Sequence, residues 1–233
     1  MLAKDLVFRN PLRLIGEETE DIISNGGFGA LLARAGVGKT ALLVQIALDN
    51  LLRNINVLHI SLNDPVKKIS LWYEQILRNI VKQYNIKQMD QLSETMLSHR
   101  FIMAIDVEDF SIIKLEQRLK DLMEQDVFNP KVILVDGLPF SESIRKPLYD
   151  FKTLIKEKAM QAWFTVRIHR HEQPEPNVIP DSFSHIEDLF ESAIYLHPQG
   201  KEIRLKVLKG KGSTPGDSAL CLDPSSMMIK INS

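Results

Sequence analysis

The sequence predicts an α/β fold, with a mainly parallel central sheet flanked by helices and antiparallel strands at its C-terminal end. Three observations lead there. Short, almost wholly apolar runs, such as Phe28–Leu32 and Lys131–Gly137, alternate with longer segments. Strands that are apolar throughout are covered by helices on both faces, as parallel sheets are. The longer segments carry apolar residues at helical spacing, as in Leu42, Leu43, Ile46, Ala47 and Leu51. After a polar, proline-rich stretch the pattern changes to four short β-rich runs, "SAIYLH", "KEIRLKVLK", "ALCLD" and "MMIKI".

The chain of 233 residues suits one domain over 1–233, with residues 1–27 as a mixed lead-in holding a proline turn and the loop signal "SNGG". A helix runs from Lys39 to about Asn54, and "INVLHIS" is a strand. A second helix covers "VKKISLWYEQILRNIVKQY", and residues 85–99 read as a connecting loop or broken helix. "RFIMAID" is a short strand. "SIIKLEQRLKDLMEQ" is a helix that Ser111 caps through its hydroxyl. "KVILVDG" is a buried strand, 145–160 a helix, "AWFTVRI" a strand and "HRHEQPEPNVIPDS" a loop. No internal repeat or low-complexity tract interrupts this order.

Composition excludes several functions. Apolar residues (44%) and charged residues (25%) are in the range of a globular protein with a real core. Lys plus Arg, 29, nearly cancels Asp plus Glu, 30, so no global basic field draws in nucleic acid. Nucleic acid is therefore a partner the sequence allows without favouring. Cys221 is the single cysteine, which rules out an intramolecular disulfide and suits a reducing compartment. No run approaches the ~20 apolar residues of a membrane span, and no secretory leader is evident. The expectation is a cytoplasmic protein without a membrane.

The chemistry begins at "ARAGVGKTA", residues 33–41, set between a strand and a helix. That context makes it a phosphate-binding P-loop. Gly36 and Gly38 let backbone N–H groups curl around an anion, and the new helix points its positive end at the same place. Arg34, Ala35, Gly36, Val37, Gly38, Lys39, Thr40 and Ala41 are the expected nucleotide-binding residues. Lys39 would sit on the β- and γ-phosphates, and Thr40 would contribute its hydroxyl to Mg²⁺. Ala33 stands where such loops usually open with glycine, and it is tolerated there if φ is not positive. Asp136, at the tip of "VILVDG", is a carboxylate at the C-terminal end of a buried strand, where open α/β sheets hold ligands. It is the second expected Mg²⁺ residue.

In order along the chain, these motifs resemble the RecA-type ATPases of the KaiC and DnaB-helicase branch over nearly all of 10–230. "VLHISLNDPVKKI", "FIMAIDVEDFSIIKLEQRLKDL", "HIEDLFESAIYL" and "LKVLKGKGSTPGDSALCLDPSSMMIKI" are similar to successive segments of that branch. The resemblance implies a RecA-like P-loop fold, ATP and Mg²⁺ as ligands, and a ring or filament of identical subunits with sites at their boundaries. It places Asn63 or Asp64 where relatives keep a catalytic glutamate. Asparagine cannot take a proton from water, and aspartate is one methylene shorter. Asp64 is then either the base or the N-cap of a helix that begins at Pro65. Arg167 falls near the family's γ-phosphate sensor, or is a solvated residue leaving its strand. Lys209 and Lys211 alternate on a late strand and, by resemblance, reach a neighbour's γ-phosphate; otherwise they are edge charges. His169, Arg170 and His171 lie in the loop that faces DNA in helicase relatives, but Glu172 and Glu175 dilute its charge, and two histidines make a weak metal signal.

The functional expectation is slow, Mg-dependent ATP hydrolysis in an oligomer, with Lys39, Asp64, Asp136, Lys209 and Lys211 as the catalytic set. A module that binds ATP without turning it over is the first alternative, and a DNA-dependent motor the second.

Overall fold

A computed structural model describes residues 21–86, 89–169, 172, 178–210 and 217–231. Within them one nine-stranded sheet runs in the order β3-β2-β4-β5-β1-β6-β7-β8-β9. Its strands are β1 (Phe28–Ala33), β2 (Val57–Ser61), β3 (Arg100–Ala104), β4 (Val132–Asp136), β5 (Gln161–Arg167), β6 (Ser192–Gln199), β7 (Glu202–Lys209), β8 (Asp217–Leu222) and β9 (Ile229–Ile231). From β3 to β6 every pairing is parallel, and from β6 to β9 every pairing is antiparallel. The α/β class, the mostly parallel sheet and the antiparallel C-terminal strands all match the sequence reading.

The helices are α1 (Lys39–Leu52), α2 (Val66–Gln83), α3 (Met89–Ser98), α4 (Ile112–Glu124), α5 (Arg145–Glu157) and the single turn α6 (Asp181–Ser184). Alternation along the strands divides the core in two. Leu31, Val132 and Leu134 face α1, α2 and α3, packing on Leu42, Ile69, Tyr73 and Met96. Phe28, Ile133 and Val135 face α4 and α5, packing on Leu115, Leu148 and Phe151. On that second face Phe28, Phe164 and Phe190 meet edge to face or tilted, with centroids 5.0 to 5.6 Å apart.

Ser111 caps α4 as expected, its hydroxyl accepting from Lys114 N–H at 3.2 Å. One open reading is decided and one expectation is corrected. Of the two readings of 85–99, connecting loop or broken helix, residues 89–98 take the helical one, and Met96 on it is buried against the α1 face. Asp64 does not cap α2. Pro65 is itself the N-cap, in an extended conformation, and its carbonyl accepts from Lys68 and Ile69. Proline has no N–H but a good carbonyl, so the helix starts at Val66, where the run "VKKIS" puts it, and one residue later than an Asp64 cap would require.

One buried polar group stands out against this apolar frame. His59 on β2 is fully buried, its Nδ1 3.0 Å from the Tyr73 hydroxyl, while its Nε2 has no hydrogen-bond partner. The Arg100 guanidinium lies 4.6 Å over the Tyr73 ring. Burial pushes the His59 pKa down from 6.5 to about 4, with Asp136 pulling it back up and Arg100 pressing it further down. A histidine held below its unfolded pKa leaves the unfolded chain with more protons between those two values. Stability should therefore fall as pH drops from 6.5 to about 4, by on the order of 3 kcal/mol at most. His59→Leu should flatten that segment of the unfolding curve against pH. Parallel losses in wild type and variant would show that His59 does not carry the effect.

Candidate functional site

β1 delivers the chain to the carboxyl end of the sheet, and α1 leaves from it. Between them Gly36 has φ +77° and Gly38 φ +108°, both in the left-handed region that glycine alone enters freely. Ala33 is the last residue of β1, fully buried, and is not among the positive-φ residues. Its methyl is therefore compatible with opening the loop. Gly38 is the N-cap of α1 and offers no side chain to the helix amides, and the first turn has no acidic residue. The first intrahelical bond runs from Leu42 N–H to Gly38 C=O, so the amides of Lys39, Thr40 and Ala41 precede the ladder. Ala41 is itself buried, so only its backbone can serve a ligand.

Lys39 curls back over the loop, donating from Nζ to the carbonyls of Ala33 and Arg34, each at 2.9 Å. Burial lowers its pKa from 10.5 to about 8; Asp136 opposes that shift and Arg167 adds to it. Arg167 pairs in register with Ala33, at the tip of β5. Burial raises the pKa of Tyr195 on β6, and Arg34 nearby opposes that shift. Lys39 and the α1 N-terminus thus bring positive charge to Asp136, with Arg167 close enough to Lys39 to act on it and Arg34 on the β6 side of the loop.

Asp136 is the best-held group of the site. It is 8% exposed at the tip of β4, which lies next to β5 and so one strand away from β1. The strand between the loop and Asp136 is β5; β2, which lies between them in sequence, sits on the outer side of β4. Thr40 donates from Oγ1 to Asp136 Oδ2 at 2.6 Å, and Thr165 donates from Oγ1 to Oδ1 at 2.7 Å. Thr165 in turn accepts from Gly137 N–H at 2.8 Å. The carboxylate is held from two sides, and the hydroxyl and carboxylate are hard oxygen donors suited to Mg²⁺. Among the described residues no cluster of three or more histidine, cysteine or acidic groups could hold a metal alone. Such a pair fits Mg²⁺ that shares its shell with phosphates and water, as that ion prefers.

The turn after β2 completes the rim. Gly137 has φ +93°, and a Cβ there would lie 1.7 Å from Asn63 Nδ2, so Asn63 rests directly on it. Asp64 accepts from Lys68 Nζ at 2.8 Å, and its N–H donates to Ser61 Oγ at 3.1 Å. Asp64 is thus an ion-paired side chain beside the site.

Lys209 is not brought to the loop within the chain. It ends β7 opposite Ala193, at the level of Ala30 rather than Ala33, and its Nζ donates to Glu187 C=O at 2.8 Å. Lys211, Arg170, His171, Glu175 and the lead-in up to residue 20 lie outside the described residues. Thr165 and Ser61 are the site residues that sequence reasoning missed. A threonine or serine on a buried strand gives no local signal, and only strand register aims it at Asp136 or at the turn.

Among the described residues no helix is long and apolar enough to cross a membrane. Compared with family models and with curated proteins, the chain matches none.

Proposed function

We propose that the chain binds ATP with Mg²⁺ at residues 33–41 and hydrolyses it slowly as a RecA-like ATPase of the KaiC and DnaB type, acting in a homo-oligomer. The observation that carries the reading is the convergence of Lys39, the uncapped α1 N-terminus and the Thr40–Asp136 pair at the carboxyl end of the sheet. Backbone amides and a lysine suit phosphate oxygens. Thr40 and Asp136 would hold Mg²⁺, which supplies neutralisation of phosphate charge when bound. The remaining work would fall to the chain: the loop amides orient the phosphates, Lys39 carries positive charge to them, and Asp64, on the turn after β2, is the candidate to accept a proton from water. Lys209 and Lys211 would act on a neighbouring subunit's nucleotide, since Lys209 stands away from its own loop.

A second reading, an ATP-binding module that does not turn over, is favoured by one observation. Asp64 is paired with Lys68, and Asn63 stands beside it. A carboxylate held by Lys68 must leave that contact to orient a water, and loss of a general base typically costs ~10²–10⁴-fold. Hydrolysis should therefore be slow. Asp64→Asn should remove most of it, and Lys68→Met, which frees the carboxylate, should raise it several-fold. Phosphate release measured alongside particle size in Mg·ATP checks both readings. Equal rates for wild type, Asp64→Asn and Lys68→Met would remove Asp64 from the mechanism, and a monomer in ATP would remove the oligomer.

A further inference from the structure

Gln45 lies on the buried side of α1, two turns below the P-loop, and is 6% exposed. Buried glutamine side chains need four hydrogen-bonding positions accounted for. Its Nε2 donates to Met227 C=O at 2.9 Å, with a longer bond to Ala41 C=O at 3.3 Å. Its Oε1 accepts from Ile229 N–H at 3.0 Å. One side chain therefore takes both a carbonyl and an amide from the turn that joins β8 to β9, more than 180 residues away in sequence.

That turn is itself well braced. Asp223 accepts from Ser225 N–H and Oγ and from Ser226 Oγ. Met227 N–H donates to Asp223 C=O at 2.7 Å, and Met227 holds φ +55°, a conformation that non-glycine residues rarely keep without external support. Asn79 on α2 donates to Ser226 C=O at 2.8 Å. The seated turn meets the P-loop directly. A Cβ on Gly38 would lie 2.6 Å from Leu222 Cδ2 and 3.6 Å from Met227 Sδ. The glycine that starts the helix is thus backed by the last residue of β8 and by the residue whose carbonyl Gln45 holds.

We propose that Gln45 is a positioning residue for nucleotide binding: it clamps the β8–β9 turn onto α1, so that Leu222 and Met227 hold Gly38 and the loop amides in place before the anion arrives. The inference rests on the nucleotide reading above and assigns it a support at the C-terminal end of the chain. A cradle held in its bound shape loses less freedom on binding, so loosening it weakens affinity without removing a ligand contact.

The experiment compares full-length wild type, Gln45→Met, Gln45→Glu and Asn79→Ala. Two quantities are measured: Mg·ATP dissociation constants from pH 6 to pH 8, and hydrogen exchange of the nucleotide-free proteins. Gln45→Met should weaken binding roughly tenfold, with faster exchange confined to Gly36–Thr40 and the β8–β9 turn while β2, β4 and β5 keep their protection. Gln45→Glu should bind poorly at pH 8, where its carboxylate faces the Met227 carbonyl. It should recover as pH falls, because a protonated carboxyl again offers one donor and one acceptor and burial favours that form. Asn79→Ala should act in the same direction, more weakly. A general loss of packing would speed exchange everywhere and give Gln45→Glu the wild-type pH profile, and either result overturns the clamp. Unchanged loop exchange in Gln45→Met overturns it as well, whether or not nucleotide binds. Wild type that shows no Mg·ATP binding overturns the nucleotide reading and this inference together, whereas wild-type binding with an unaffected Gln45→Met overturns only the inference.

Discussion

Lys39→Ala is expected to lose at least a hundredfold in Mg·ATP affinity while keeping its fold. The side chain is a part-buried ammonium that donates to the loop carbonyls of Ala33 and Arg34. Its removal takes away a charge that burial already opposes, so nucleotide-free stability should change little or improve. Against phosphates the same ammonium is a charge-assisted donor in a partly desolvated site, worth several kcal/mol for binding. The pKa of about 8 adds a further signature. Phosphates favour the charged form, so binding near that pH should take up a proton, and affinity should fall as pH rises through 8 and beyond. Calorimetry in buffers of different ionisation enthalpy would read that uptake, and Lys39→Ala should abolish it. Unaltered affinity in Lys39→Ala would end the P-loop reading.

What the sequence could disclose follows from how local each signal is. Asp136 is readable as a strand tip because its strand is a continuous apolar run, and Gly36 and Gly38 as loop residues because a left-handed backbone restricts the residue type. The first strand, by contrast, runs one residue past Leu32, to Ala33. Ser111 was readable as a cap because its bond to Lys114 N–H spans three residues. The Asp64 cap failed at the same range, since Pro65 competes for the position and its carbonyl wins. Residues 85–99 leave loop and broken helix both open in the sequence, because the helix at 89–98 is fixed by docking against the α1 face. Gln45 and Thr165 were invisible for a different reason. Their partners are 184 and 29 residues away, and a single polar residue in an apolar run does not announce what faces it. Lys209 shows the converse. Alternation placed it correctly on a late strand, but only the register with Ala193 shows that it stands below the level of the loop.

Asp136 carries the second large effect, and comparing it with Thr165 separates chemistry from support. Asp136 accepts hydroxyl hydrogen bonds on both carboxylate oxygens, from Thr40 at 2.6 Å and from Thr165 at 2.7 Å. Asp136→Asn keeps the shape, and its amide can still satisfy both hydroxyls if Thr40 turns to accept. The fold should therefore lose only about 1 kcal/mol, while the negative charge that attracts a divalent ion is gone. The concentration of Mg²⁺ needed to support ATP binding should rise about 10–100-fold, the usual scale for a group that tunes a metal through its shell. Thr165→Val should do nearly the opposite. It leaves the charge but strips one bond from Asp136 and leaves Gly137 N–H without its acceptor, so stability should drop by about 1–3 kcal/mol with a smaller change in Mg²⁺ requirement. Thermal unfolding with and without ATP, titrated with Mg²⁺, reads both quantities from one experiment. An unchanged Mg²⁺ requirement in Asp136→Asn would reduce Asp136 to an acceptor for two threonines, and Lys39 with the α1 N-terminus would then be an anion site that works without a metal.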